Sequence, residues 1–220
     1  MARENAADTA VLVIGLGRFG SAIAVTLDKL NRDVLAVDSD PDVVQKWSHR
    51  FRVVQADARS PEALAQLGVS DFNVAVVGVG TSLEASVLIT ANLADVKMRD
   101  IWAKATSREH GTILRRIGAN HVVYPENDAG QRVAHMVSGR MLDYIQMEDQ
   151  FTIVKMIPPK DLVGFTVGES KVSERFGVRV LGVKSPGQPF EYTTPDTLIS
   201  TGDTLIVSGE PGLLEEFANR

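Results

Sequence analysis

The sequence has no cysteine among its 220 residues. That excludes disulfides, thiolate metal sites and a thiol nucleophile, and it is compatible with an intracellular home. Aromatic residues are sparse, at 6%, with two tryptophans. Basic charge is not in excess: 23 Lys and Arg stand against 28 Asp and Glu, a net charge of -5. Nonspecific nucleic-acid binding is driven by basic surfaces that displace counterions, so no nucleic-acid partner is expected. No apolar run approaches the roughly 20 residues that cross a bilayer. The opening "MARENAADTA" is polar and lacks the apolar core of a signal peptide. Catalytic signatures are missing as well. There is no Tyr-x-x-x-Lys pair, no His-Glu-x-x-His and no Gly-x-Ser-x-Gly elbow, and His49, His110, His121 and His135 lie far apart in the chain. These absences predict a cytoplasmic protein without a catalytic centre.

What the sequence does contain is alternation. Six short β-rich runs, at 11–15, 33–38, 52–57, 73–79, 101–106 and 121–125, are separated by helical stretches that open near Asp, Ser or Thr or just after a glycine loop. Several runs are almost continuous in Val, Ile and Ala, as expected of strands buried on both faces of a parallel sheet. Strict β-α alternation predicts an α/β fold, a Rossmann-like doubly wound parallel sheet. The segment "NDAGQRVAHMVSGRMLDYIQ" (127–146) reads as one longer helix. From Phe151 the texture changes to strand-like runs broken by Pro and Gly turns, which predicts a small C-terminal α+β domain. The expected organisation is a tail over 1–10, a nucleotide-binding domain over 11–146 and a second domain over 147–220.

The first strand runs into "GLGRFG", a G-x-G-x-x-G at Gly15, Gly17 and Gly20. In that context the first glycine allows the tight turn, the second lets a phosphate approach the backbone, and the third lets helix and strand pack closely. Asp38 ends the second strand 18 residues after Gly20, where an acid can bind ribose hydroxyls. Asp57 ends the third strand, and Gly78 and Gly80 follow the fourth. Ligands of open α/β sheets bind beyond the carboxyl ends of the strands, so these positions are candidates for the adenine side of the crevice. Asp57 reads equally as a helix-capping or solvated acid. Arg18, inside the glycine loop, suits a nucleotide with more terminal charge than NAD carries, with a surface salt bridge as the alternative. NAD, NADH, ATP and ADP all offer this loop an adenosine diphosphate portion.

Taken together, "GLGRFGSAIA", "VLAVDSDP", "QADA", "IWAKA" and "RIGANHVVYPENDAGQRVA" resemble the N-terminal lobe of the RCK (KTN, TrkA-N) family of potassium-conductance regulators. "VSERFGVRVLGVK" and "STGDTLIVSG" resemble its TrkA-C lobe. One copy of each lobe is similar to the cytosolic regulatory subunits of Ktr-type potassium uptake. The resemblance implies a regulator that performs no reaction and binds ATP or ADP, with NAD or NADH as alternatives. It implies homodimers assembling into an octameric ring beneath a membrane-embedded, potassium-translocating subunit of the KtrB type. By position, Gly15, Gly17, Arg18, Phe19 and Gly20 would surround the phosphates, and Asp38 and Ser39 the ribose. Asp57, Ala58, Gly78 and Gly80 would line the base side. Lys104 would lie near the crevice, or else cap charge locally. Glu126 matches an acid that helps hold a divalent cation or Na+, although it is equally a first-turn helix acid. In several relatives the C-terminal lobe binds cyclic di-AMP; here Ser173 and Arg179 stand where those relatives use an arginine and an asparagine, which leaves that ligand open. A small NAD(P)-dependent oxidoreductase and a nucleotide-sensing transcription regulator are the alternatives from other classes.

Overall fold

A computed structural model describes residues 10–220. The chain divides into two compact units, one ending at Glu126 and one running Asn127–Arg220.

The first unit is a six-stranded, wholly parallel sheet: β1 (Val11–Ile14), β2 (Val34–Asp38), β3 (Arg52–Gln55), β4 (Val74–Val77), β5 (Asp100–Lys104) and β6 (His121–Val123). The spatial order is β3-β2-β1-β4-β5-β6, so the winding reverses between β1 and β4. The alternation of side chains across the pleat builds two cores. Leu12, Ile14, Leu35, Val37, Ala75, Val77, Ile101 and Ala103 face one side, and Val13, Val34, Ala36 and Val76 the other.

Five helices complete this winding: α1 (Arg18–Lys29), α2 (Pro41–Trp47), α3 (Pro61–Gln66), α4 (Leu83–Asp95) and α5 (Arg108–Arg116). Asp40, Ser60, Ser82 and Ser107 each accept from a first-turn N–H of the last four, and Pro41 and Pro61 occupy first helical positions. The exception is α1. Its N-cap is Gly17, which has no side chain to satisfy the opening N–H groups.

The second unit holds the body of α6 (Pro125–Ser138) and an antiparallel sheet in the order β10-β9-β11-β8-β7. Its strands are β7 (Met141–Glu148), β8 (Phe151–Met156), β9 (Arg179–Lys184), β10 (Glu191–Tyr192) and β11 (Thr204–Gly209). Short helices α7 (Val167–Ser170) and α8 (Val172–Phe176) and the terminal α9 (Pro211–Ala218) pack with it around Val154, Met156, Leu205, Val207, Leu214 and Phe217.

One expectation is corrected here. Residues 127–146 are not a single helix, because α6 ends at Ser138 and residues 141–148 form an edge strand paired with β8 from Met141↔Met156 to Glu148↔Phe151. Gly139 follows the last helical residue, and beyond it Met141 and Tyr144 are buried in the core of the second unit. Burial in a sheet decides the conformation of residues whose local preference is ambiguous.

Candidate functional site

At the β1/β4 reversal, the loops after β1, β2, β3 and β4 enclose a cleft of about 550 Å³. Gly15, Gly17, Asp38, Ser39, Asp57, Ala58, Gly78 and Gly80 all line it. Its volume is within the range of small-molecule sites.

The glycine loop is held from three directions. Gly15 has φ +87° and donates its N–H to the Val37 carbonyl at 2.8 Å. Gly78 donates to the Ile14 carbonyl at 2.7 Å, joining the first and fourth loops. Asp38 provides the third tie. One of its carboxylate oxygens accepts from the Leu16 N–H at 2.6 Å, and the other accepts from the Asp40 N–H at 3.0 Å. Asp38 is therefore a brace of the loop as well as a cleft residue, which its position in the sequence does not reveal. Asp38→Ala should remove the acceptor of a part-buried N–H and lower stability by about 1–2 kcal/mol. Asp38→Asn, which keeps a side-chain carbonyl, should lose less; denaturant unfolding of the two variants measures the difference.

The three loop glycines have unlike surroundings. A Cβ on Gly17 would meet nothing within 4 Å, so the space above it is open. A Cβ on Gly20 would run into the Gly15 carbonyl, and Gly20 is buried rather than exposed to the cleft. Gly78 approaches the same carbonyl, where a Cβ would lie 2.9 Å from the oxygen. Gly17 thus offers bare backbone, while Gly20 and Gly78 let the start of α1 and the loop after β4 close on the Gly15 carbonyl.

Arg18, Phe19, Lys104 and Glu126 are not part of the cleft lining. Arg18 is exposed on the first turn of α1 and has no ion-pair partner among the described residues. Lys104, at the end of β5, is largely buried, with its side chain 12% exposed. Its Nζ lies 2.6 Å from Glu126 Oε1 and 5.9 Å from the centroid of the Phe19 ring. A Cβ on Gly80 would sit 3.1 Å from the same nitrogen, so the ammonium adjoins the cleft wall. The Lys104 hydrogen bond holds the Glu126 carboxyl below the usual glutamate range, and the charge of Arg18 adds to this.

At the far end of the cleft, Asp57 is engaged by Arg59, which also lines the wall. The guanidinium holds the Asp57 carboxyl down at about 2. Because that value is depressed, the pair persists as pH falls until the carboxylate itself is protonated near it. Arg59 carries no signal in the sequence, since an arginine two residues beyond an acid has no distinguishing pattern.

The histidines remain apart. His110 is buried on α5, with burial pushing its imidazole below the usual histidine range; its Nδ1 accepts from the Thr106 N–H at 3.3 Å. His121 lies 3.2 Å from Asp100, and His135 lies 2.6 Å from Glu215. Among the described residues no group of three His, Asp or Glu side chains gathers as a metal site. Glu126 offers a single carboxylate already occupied by an ammonium, a donor set that does not by itself fit a cation. In the second unit, Ser173 on α8 and Arg179 at the start of β9 are both exposed. No described helix is long and apolar enough to cross a membrane.

Comparison with known proteins agrees with this architecture. The TrkA-N domain model matches residues 11–125 and the TrkA-C domain model residues 151–220. The chain is 31% identical over 209 residues to Ktr system potassium uptake protein A of Bacillus subtilis (strain 168), covering 94% of each. It is 30% identical over 210 residues to protein C of the same system and organism, covering 94% of this chain and 95% of that one. Among solved structures, all of this chain superposes on the GsuK RCK domain with a TM-score of 0.68 at 20% identity. It also superposes on the GsuK channel bound to NAD, with a TM-score of 0.66 at 19% identity. The chain spans 49% and 41% of those two GsuK chains, and at such identities the likeness concerns the fold alone. With both domain models matched in order and relatives about 30% identical over nearly their whole length, the chain belongs to the TrkA-N/TrkA-C family of RCK proteins.

Proposed function

We propose that this chain is a nucleotide-sensing regulatory subunit of a potassium-uptake system, with an adenine nucleotide, ATP or ADP, in the cleft at the β1/β4 reversal. NAD or NADH would use the same adenosine diphosphate contacts. The observation that carries this reading is the unobstructed backbone of Gly17 at the start of a 12-residue helix, with the braced carboxylate of Asp38 one strand away. Open N–H groups and the helix dipole there favour phosphate. The relatives named as Ktr potassium uptake proteins and the GsuK channels solved with NAD and with ADP supply the context.

No chemical step is assigned. The output is a population shift: a nucleotide that binds one arrangement of the assembly more tightly than another biases the pore attached to it. The assembly in this reading is a homodimer building an octameric ring on a membrane-embedded, potassium-translocating subunit, from the cytoplasmic side. Val133 and Val137 on α6 and Ile145 and Met147 on β7 are half-exposed or more, the kind of apolar surface that association covers. No resident cation is included, because Glu126 is held by Lys104.

Solution mass and thermal melting with ATP, ADP, NAD and NADH, with and without divalent ions, test the proposal. The expected result is a multimer larger than a dimer whose melting temperature rises with adenine nucleotides. At a ligand concentration 100 times Kd, the gain is about 2.7 kcal/mol. A monomer stabilised by none of the four would overturn the reading.

A further inference from the structure

The loop after β3 is built more firmly than an exposed loop requires. Arg59 Nε lies 2.9 and 3.1 Å from the two carboxylate oxygens of Asp57, and its Nη2 lies 2.6 Å from Oδ2. An exposed ion pair usually contributes little, because two long side chains must be ordered to make it. Here the backbone supplies that order. The Arg59 N–H donates to Asp57 Oδ1 at 3.0 Å, and the Arg59 carbonyl accepts from Asn92 Nδ2 on α4 at 2.8 Å. Ser60, the next residue, donates to the Asp57 carbonyl and caps α3. The negative charge of Glu84 adds a further attraction. The result is a planar guanidinium fixed in the cleft wall, with no protein partner for its Nη1 among the described residues.

The order of the strands says which part of a nucleotide would meet it. Phosphates belong at Gly17, beyond β1, and the ribose at Asp38, beyond β2. β3 is the next strand outward, so its loop faces the base. A guanidinium plane can stack on the π face of a purine. The fork to Asp57 sets the orientation of that plane, on a side chain that is half-exposed.

We propose that Arg59, its guanidinium forked to Asp57 and its backbone tied to Asn92, is the platform on which the purine base of the bound nucleotide packs. This rests on the nucleotide reading of the cleft and adds a residue that favours base-bearing ligands over bare phosphates. Every base has a π face, so the contact raises affinity for nucleotides as a class and does not choose adenine over guanine.

The test is calorimetric titration of ADP into the full chain and its Arg59→Ala and Arg59→Lys variants, with inorganic pyrophosphate as a competitor. Arg59→Ala should weaken ADP about tenfold and leave the pyrophosphate constant unchanged. Arg59→Lys should lose as much, because an ammonium is neither planar nor able to fork. Unchanged melting of the unliganded variants establishes that the loop still folds. Undiminished ADP affinity in Arg59→Ala would overturn the proposal, as would full rescue by lysine or an equal loss for pyrophosphate, both marks of charge alone. If the unaltered protein binds no ADP, it is the nucleotide reading that fails.

Discussion

Gly20→Ala is expected to destabilise the protein by about 3 kcal/mol or more, although the change adds one methyl group to a helix. In an ordinary helix interior the same change is stabilising, because alanine restricts the unfolded chain more than glycine does. The difference is the neighbour. A Cβ at Gly20 would collide with the Gly15 carbonyl oxygen, a backbone atom. Gly15 cannot retreat easily, since its N–H is bonded to Val37 and Gly78, itself bonded to Ile14, is packed against the same carbonyl. For a chain of this size the loss corresponds to a fall in melting temperature of at least about 6 °C. Gly17→Ala is the internal control. Its Cβ meets nothing and its φ of -61° suits alanine, so the loss should stay at about 1 kcal/mol, the cost of alanine at an N-cap, well short of that for Gly20→Ala. ADP affinity should nevertheless fall about tenfold, because in the proposed reading the methyl group stands where a phosphate approaches the backbone. Equal melting of Gly20→Ala and the unaltered protein would refute the packing argument. Undiminished ADP binding by Gly17→Ala would refute the phosphate position.

These contrasts show which parts of the molecule were legible in the sequence. The six parallel strands were, because burial on both faces leaves continuous apolar runs and each intervening helix carries its own start signal. The glycine loop was legible as a motif, though not the division of labour among its glycines, which depends on how closely other loops approach. β7 is not legible in the sequence because its residues follow a helix without a proline, and only pairing with β8 and burial of Met141 and Tyr144 settle their conformation. The brace from Asp38 to Leu16 spans 22 residues, and so does the pair from Lys104 to Glu126. Contacts at that separation arise from the strand order, which places successive βα loops at the same end of the sheet. The Arg59 fork is local, yet its meaning comes from the cleft it lines.

Lys104 and Glu126 make opposite predictions for stability and for ligand affinity. The ammonium is largely buried, next to Gly80 at the cleft wall, and its counter-ion is an exposed carboxylate on the first turn of α6. Glu126→Gln should leave that ammonium without a full charge partner. The cost is about 1–2 kcal/mol of unliganded stability, less than for a fully buried pair because Glu126 is open to solvent. A bound nucleotide brings its own negative charge to the same region, so the released lysine should raise ADP affinity several-fold rather than lower it. Lys104→Met should do the reverse, weakening ADP about tenfold. In the double variant the effect of Glu126 on ADP should vanish, because it acts through Lys104 alone. The cation chemistry suggested by the family resemblance gives the contrary sign. If Glu126 bridges a divalent ion to the phosphates, its loss weakens ADP in the presence of that ion and leaves affinity unchanged in a chelator. Titrations of the three variants with and without magnesium therefore decide whether Glu126 is a counter-ion that a nucleotide displaces or a ligand that it recruits.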